Sequence, residues 1–104
     1  MGYFSVVEVR QTDQYRRWFD RLRDRGVRAL VLVRIRRLSL GHAGDARSVG
    51  GGVWELRLDH GPGYRIYFTR RGGRVVVLLA GGTKQGQKRD IPRAMKLAQA
   101  IGDD

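Results

Sequence analysis

VWELRLDHGPGYRIYFTRRGGRVVVLLA, residues 53–80, reads as a run of strands separated by turns. VWELRL (53–58) alternates, with Trp54, Leu56 and Leu58 on one face and Glu55 and Arg57 on the other. HGPG (60–63) has turn chemistry. YRIYFT (64–69) alternates again, Tyr64, Ile66 and Phe68 against Arg65, Tyr67 and Thr69. Gly72–Gly73 suits a two-residue hairpin loop. RVVVLLA (74–80) is apolar throughout, the pattern of a central strand covered on both faces. Short turns between successive strands imply an antiparallel sheet.

Upstream, YFSVVEV (3–9) is rich in β-branched and aromatic residues and reads as a strand. Thr12 and Asp13 then supply a helix start, and Tyr15, Trp18, Phe19 and Leu22 recur at the spacing of one helical face. Gly26 breaks that pattern where a helix C-terminus favours a left-handed residue. Val27, Val31, Ile35 and Leu38 form the stripe of a second helix, from Val27 to about Leu40, closed by Gly41, with a strand as the alternative that its β-branched content admits. Two helices joined by one glycine make an αα-hairpin. GHAGDARSVGGG (41–52) is a glycine-rich loop with room for a short strand at 46–49. Downstream, Asp90 is expected as N-cap of a last helix with Pro92 in its first turn, burying Ile91, Ala94, Ala98 and Ile101. The expected order is β-α-α-β-β-β-α. The chain, 1–104, reads as a single α+β domain with an antiparallel sheet, an N-terminal αα-hairpin, a C-terminal helix, and all helices on one face of the sheet.

Charge narrows the function. Lys plus Arg total 21 against 10 Asp plus Glu, a net of +11, mostly arginine. Guanidinium offers a planar fork of donors that matches phosphate, so a polyanionic partner is expected. With 0 cysteines, disulfides and thiolate chemistry are excluded. No apolar run is long enough to span a bilayer and Met1–Arg10 lacks a secretory pattern, so a cytoplasmic protein without membrane contact is expected. His42 and His60 lie in a loop and a turn and do not make a metal site, GGTKQGQK lacks P-loop spacing, and neither metal nor cofactor is expected.

If the apolar faces of 53–58 and 64–69 point into the core, Glu55, Arg57, Arg65 and Tyr67 share the other face. AGGTKQGQKRD (80–90) adds Lys84, Lys88 and Arg89 beside it. Such a basic cluster can grip phosphates and stabilise charge developing in phosphoryl transfer. Taken singly, each residue also has a plain reading: Arg57 and Glu55 as a surface ion pair, Arg65 as solubility, Tyr67 as packing.

Three segments, GDARSVGGGVWELRL (44–58), GPGYRIYF (61–68) and VVVLLAGGTKQGQKRDI (75–91), together with WFDRL (18–22) and RIRRLSLGHAGD (34–45), resemble the RelE/ParE toxin superfamily. They are most similar to its HigB-like addiction-module killer proteins. The resemblance implies a RelE-like fold and the toxin of a type II toxin–antitoxin system, a ribosome-dependent endonuclease that cuts mRNA by 2′-OH attack and stops translation. By the same likeness Arg65, Lys84 and Arg57 are the catalytic cations; Tyr67, Lys88, Arg89 and Glu55, placed beside them by the strand pattern, are expected toward RNA. The implied partners are the ribosome, mRNA and an adjacently encoded helix-turn-helix antitoxin, in a toxin–antitoxin heterotetramer. Relatives that carry Tyr or His near the start of the last helix contrast with Arg89, Asp90 and Ile91 here, so no general base transfers. A ParE-like inhibitor of DNA gyrase and a non-catalytic RNA-binding domain are the alternatives.

Overall fold

The computed structural model describes residues 7–101. Its elements are β1 (Glu8–Gln11), α1 (Asp13–Arg21), α2 (Arg25–Ser39), β2 (Ala46–Gly50), β3 (Val53–Leu58), β4 (Tyr64–Arg71), β5 (Val75–Thr83), a single 3-10 turn (Lys84–Gly86) and α3 (Gln87–Ile101). Of the strand expected at 3–9, residues 3–6 lie outside the described residues.

The three strands of 53–80 form as read, and their antiparallel ladders pair Glu55 with Tyr67 and Arg57 with Arg65. Two features differ from the expected sheet. Ala46–Gly50 is a full edge strand on β3, so the order gains a strand. β1 pairs with β5 in parallel, Glu8 opposite Val75, which makes the five-stranded sheet mixed, in the order β1-β5-β4-β3-β2.

The helix joint also differs. Thr12 caps α1 as expected, its hydroxyl accepting from Tyr15 N at 3.1 Å. That helix stops at Arg21, and Asp24 rather than Gly26 marks the break, capping α2 by accepting from Gly26 N at 2.8 Å. Gly26 therefore sits in the first turn of α2, because the Asp24 carboxylate satisfies backbone donors there. Asp90 is likewise no cap: the chain turns into α3 already at Gln87, and Asp90 is buried inside the first turn.

The helices cover both faces of the sheet, not one. Against α1 and α2 lie Leu56, Leu58, Ile66, Phe68, Val76 and Leu78, with Tyr15, Val27, Val31 and Leu38 from the helices. Against α3 lie Val53, Tyr67, Val77 and Leu79, with Ala94 and Ala98. The small residues of α3 let it sit close on the face that carries the polar side chains of β3 and β4. Trp54, expected in the core, is half-buried at the rim, stacked on Phe68 at 6.5 Å and capped by the Arg70 guanidinium at 5.0 Å.

Candidate functional site

Where the sheet runs out from under α3, an open cleft of about 460 Å³ is lined by Asp45, Arg57, Asp59, Gly63, Arg65 and Lys84, among others. The HGPG turn assembles it. Gly63 has φ +77, and a Cβ there would meet Lys84 Cβ at 3.2 Å and Arg65 Nη1 at 3.3 Å, so only glycine lets the two cations flank the turn. The Gly63 carbonyl accepts from Lys84 N at 2.8 Å and from Arg65 Nη1 at 3.0 Å, tying the β3–β4 turn to the end of β5.

Arg65 is nearly buried. Besides Gly63 O, its Nη1 donates to Tyr64 O at 3.1 Å, while Nε lies 3.7 Å from Glu55 Oε1; Nη2 has no hydrogen bond among the described residues. Glu55 is fully buried and also accepts from Arg47 Nε at 3.1 Å and Gln87 Nε2 at 2.8 Å. Arg57 pairs with Asp45 on the lining of the same cleft, Nη2 to Oδ1 at 2.9 Å. The Arg34 side chain reaches up from α2 to donate to the carbonyls of Arg57 (2.7 Å), Ala43 (3.1 Å) and Asp45 (3.2 Å), fixing one wall of the cleft. Partial burial lowers the pKa of that guanidinium, which still holds the three carbonyls.

Arg57, Arg65 and Lys84 thus share one cleft. Glu55 and Tyr67, expected on an open face, have no exposed surface because α3 covers them. The Tyr67 hydroxyl has no hydrogen-bond partner among the described residues, and burial first, then the Glu55 and Asp90 carboxylates, raise its pKa. Tyr67 therefore cannot stack on a nucleotide; it packs beneath the cations. Lys88 and Arg89 stand exposed on the start of α3 and do not line the cleft; Arg89 pairs with Asp90 at 3.4 Å.

Sequence reasoning missed Arg34, Arg47, Asp45 and Asp59. Asp45 and Asp59 border the strands in loop segments, where only the fold brings them to the cleft. Among the described residues, no group of three or more His, Cys, Asp or Glu could hold a metal ion, and no helix is long and apolar enough to cross a membrane.

Residues 17–100 match the family described as Phage derived protein Gp49-like, a stretch that runs from α1 through α3 and includes every lining residue of the cleft. The chain belongs to the Gp49-like family. This family is one of RelE/HigB-like toxins. Across 97 residues the Gp49-like chain is 40% identical to a protein of Haemophilus influenzae described as uncharacterized, covering 93% of this chain and 98% of the relative.

Proposed function

We propose that this Gp49-like protein is the toxin of a type II toxin–antitoxin pair and cuts mRNA on the ribosome. The observation that carries the reading is the convergence of Arg57, Arg65 and Lys84 on one open cleft at the end of the sheet. A phosphodiester laid in that cleft meets the free Nη2 of Arg65 and the Lys84 ammonium.

The chemistry is a transesterification. The ribose O2′ attacks phosphorus, the P–O5′ bond breaks, and a 2′,3′-cyclic phosphate and a 5′-hydroxyl result. Negative charge grows on the non-bridging oxygens in the transition state, where Arg65 is held by fixed carbonyl and carboxylate partners and needs no reorganisation. Lys84 stands ready to protonate the leaving O5′. Asp59 lines the cleft without an ion pair among the described residues and is the carboxylate placed to take the O2′ proton. Arg57, neutralised by Asp45, aligns the strand.

The test is cleavage of a defined message on programmed ribosomes, read by primer extension. Cut messages with 2′,3′-cyclic ends support the reading. Intact messages together with stalled gyrase would replace it with the ParE-like alternative. An antitoxin that blocks the cleft is the partner this reading requires.

A further inference from the structure

β1 ends opposite Leu78, so β5 continues from Leu79 to Thr83 with no strand beyond it among the described residues. A second groove, about 250 Å³, follows this open edge between α1 and α3; its lining includes Arg17, Trp18, Arg21, Gly81, Asp90 and Arg93. Trp18 lies flat on the strand: a Cβ at Gly81 would stand 2.0 Å from its Cδ2, so the glycine exists to admit the indole. The ring is half-buried, leaving part of it in the groove. Arg17, Arg21 and Arg93 are exposed around it, and among the described residues none of the three has an ion pair or hydrogen bond.

An accessible indole ringed by unpaired guanidiniums has the chemistry of a single-stranded nucleic-acid subsite: a π-surface for a base and forks for phosphates. Gly82, next along β5, pairs with Arg65 on β4. Adjacent strands are about 5 Å apart, so the groove begins within a nucleotide or two of the Arg65 cleft. A protein partner is less favoured, because the groove is narrow and its charge is arginine set around one ring rather than an apolar patch.

We propose that this groove holds one unpaired nucleotide of an RNA strand, its base against Trp18 and its flanking phosphates on Arg17, Arg21 and Arg93. The inference rests on the RNA reading of the Arg65 cleft and extends the strand's path beyond it.

The experiment uses the full chain carrying Trp54→Phe, which leaves Trp18 as the remaining indole, together with Arg65→Ala to keep the probe uncut. The probe is a single-stranded oligoribonucleotide of about eight residues, a length within one protein subsite array. Trp18 emission is titrated at several salt concentrations. Saturable quenching is expected, and Arg17→Gln with Arg21→Gln should weaken binding about tenfold and lower the slope of log Kd against log salt by about 1.4, at about 0.7 for each phosphate no longer neutralised. Circular dichroism checks the fold; both arginines are exposed, so it should be unchanged. Absence of quenching overturns the proposal. So does an unaltered slope in the double variant, equal quenching by an RNA duplex of the same length, or quenching by poly-glutamate but not by RNA. Cleavage on ribosomes by wild type is scored separately: quenching without cleavage retires the nuclease reading and keeps the groove, while cleavage without quenching does the reverse.

Discussion

The Glu55 carboxylate, buried under α3, lies 3.7 Å from Arg65 Nε and 3.1 Å from Arg47 Nε, so one buried anion orients two cations from the neighbouring strands β4 and β2. Gln87, at the first turn of α3, holds the second oxygen of that carboxylate at 2.8 Å. The helix that hides Glu55 therefore also locks it. Cations fixed from behind meet a phosphate without first having to be ordered, which is where electrostatic catalysis gains most.

Glu55→Gln should lower both stability and turnover. The amide keeps the volume but leaves Arg65 facing a neutral group 3.7 Å away and weakens the charge-assisted hydrogen bond from Arg47, and a hydrogen bond to a charged group is worth about 1.5–3 kcal/mol. The exposed Arg47 recovers part of this through solvent, so the lower end of the range is expected. Urea denaturation gives the stability change. Cleavage measured where both proteins are folded should show a reduced kcat with little change in KM. An unchanged kcat would leave Glu55 a purely structural residue.

The alternation of β3 and β4 was legible because each residue type follows the two-residue period, and both ladders carry the register it implies. What alternation cannot reveal is what covers each face. Glu55, Arg65 and Tyr67 look like a solvent face, yet Val53 and Thr69 share it and α3 closes over it. The unbroken apolar run of β5 already implied two covered faces, since Val77 and Leu79 need a partner layer opposite the one under Val76 and Leu78. Parallel pairing of β1 with β5 is not a local property and leaves no mark in either segment. Of the site, Arg57, Arg65 and Lys84 were readable from strands and motif. Arg34 and Asp45 were not, because their roles depend on where α2 and the loop meet β3.

Gly81→Ala tests the edge of β5 by packing alone. The new methyl would lie 2.0 Å from Trp18 Cδ2, and a ring wedged against backbone cannot swing aside as a flexible chain end would. Overpacking commonly costs about 1–3 kcal/mol, and the upper end is expected here. A fall in thermal midpoint should be accompanied by increased Trp18 exposure to acrylamide quenching in the Trp54→Phe background. Gly72→Ala gives the contrast: nothing lies within 4 Å of a Cβ there, though its φ of +60 adds a modest strain.

Alkaline pH should destabilise the protein through two buried phenols. Burial raises the pKa of Tyr15, and burial with Glu55 and Asp90 raises that of Tyr67, both above the ordinary value of 10.0. The folded values lie above the unfolded ones. Their stabilising contribution is therefore complete below pH 10.0 and is lost as pH rises beyond it. Each phenol adds up to about 1.4 kcal/mol per pH unit to the decline. Denaturation midpoints between neutral pH and strong alkali should fall less steeply for Tyr67→Phe than for wild type. Because neither hydroxyl has a hydrogen-bond partner among the described residues, each Phe variant should be close to wild type in stability at neutral pH. Parallel slopes for variant and wild type would show that the phenols do not govern the alkaline limb.

Arg65 is the sharpest test of the proposed chemistry, and its burial dictates how the test is made. Arg65→Ala removes the cation from the cleft, and losing one such donor commonly lowers the rate about 10²–10³-fold. It also strands the Glu55 carboxylate beneath α3 with only Arg47 and Gln87 as partners, so some loss of stability must accompany it. Arg65→Lys separates the two effects. The ammonium restores a positive charge near Glu55 but not the fork that reaches both the Gly63 carbonyl and a phosphate. The lysine variant should therefore recover most of the thermal stability lost by alanine and little of the cleavage rate on programmed ribosomes. If lysine restores both together, charge alone suffices and the guanidinium geometry is not what the reaction uses. If the folded alanine variant cuts messages at the wild-type rate, Arg65 has no part in the mechanism, and the cations left in the cleft, Lys84 and Arg57, must account for it.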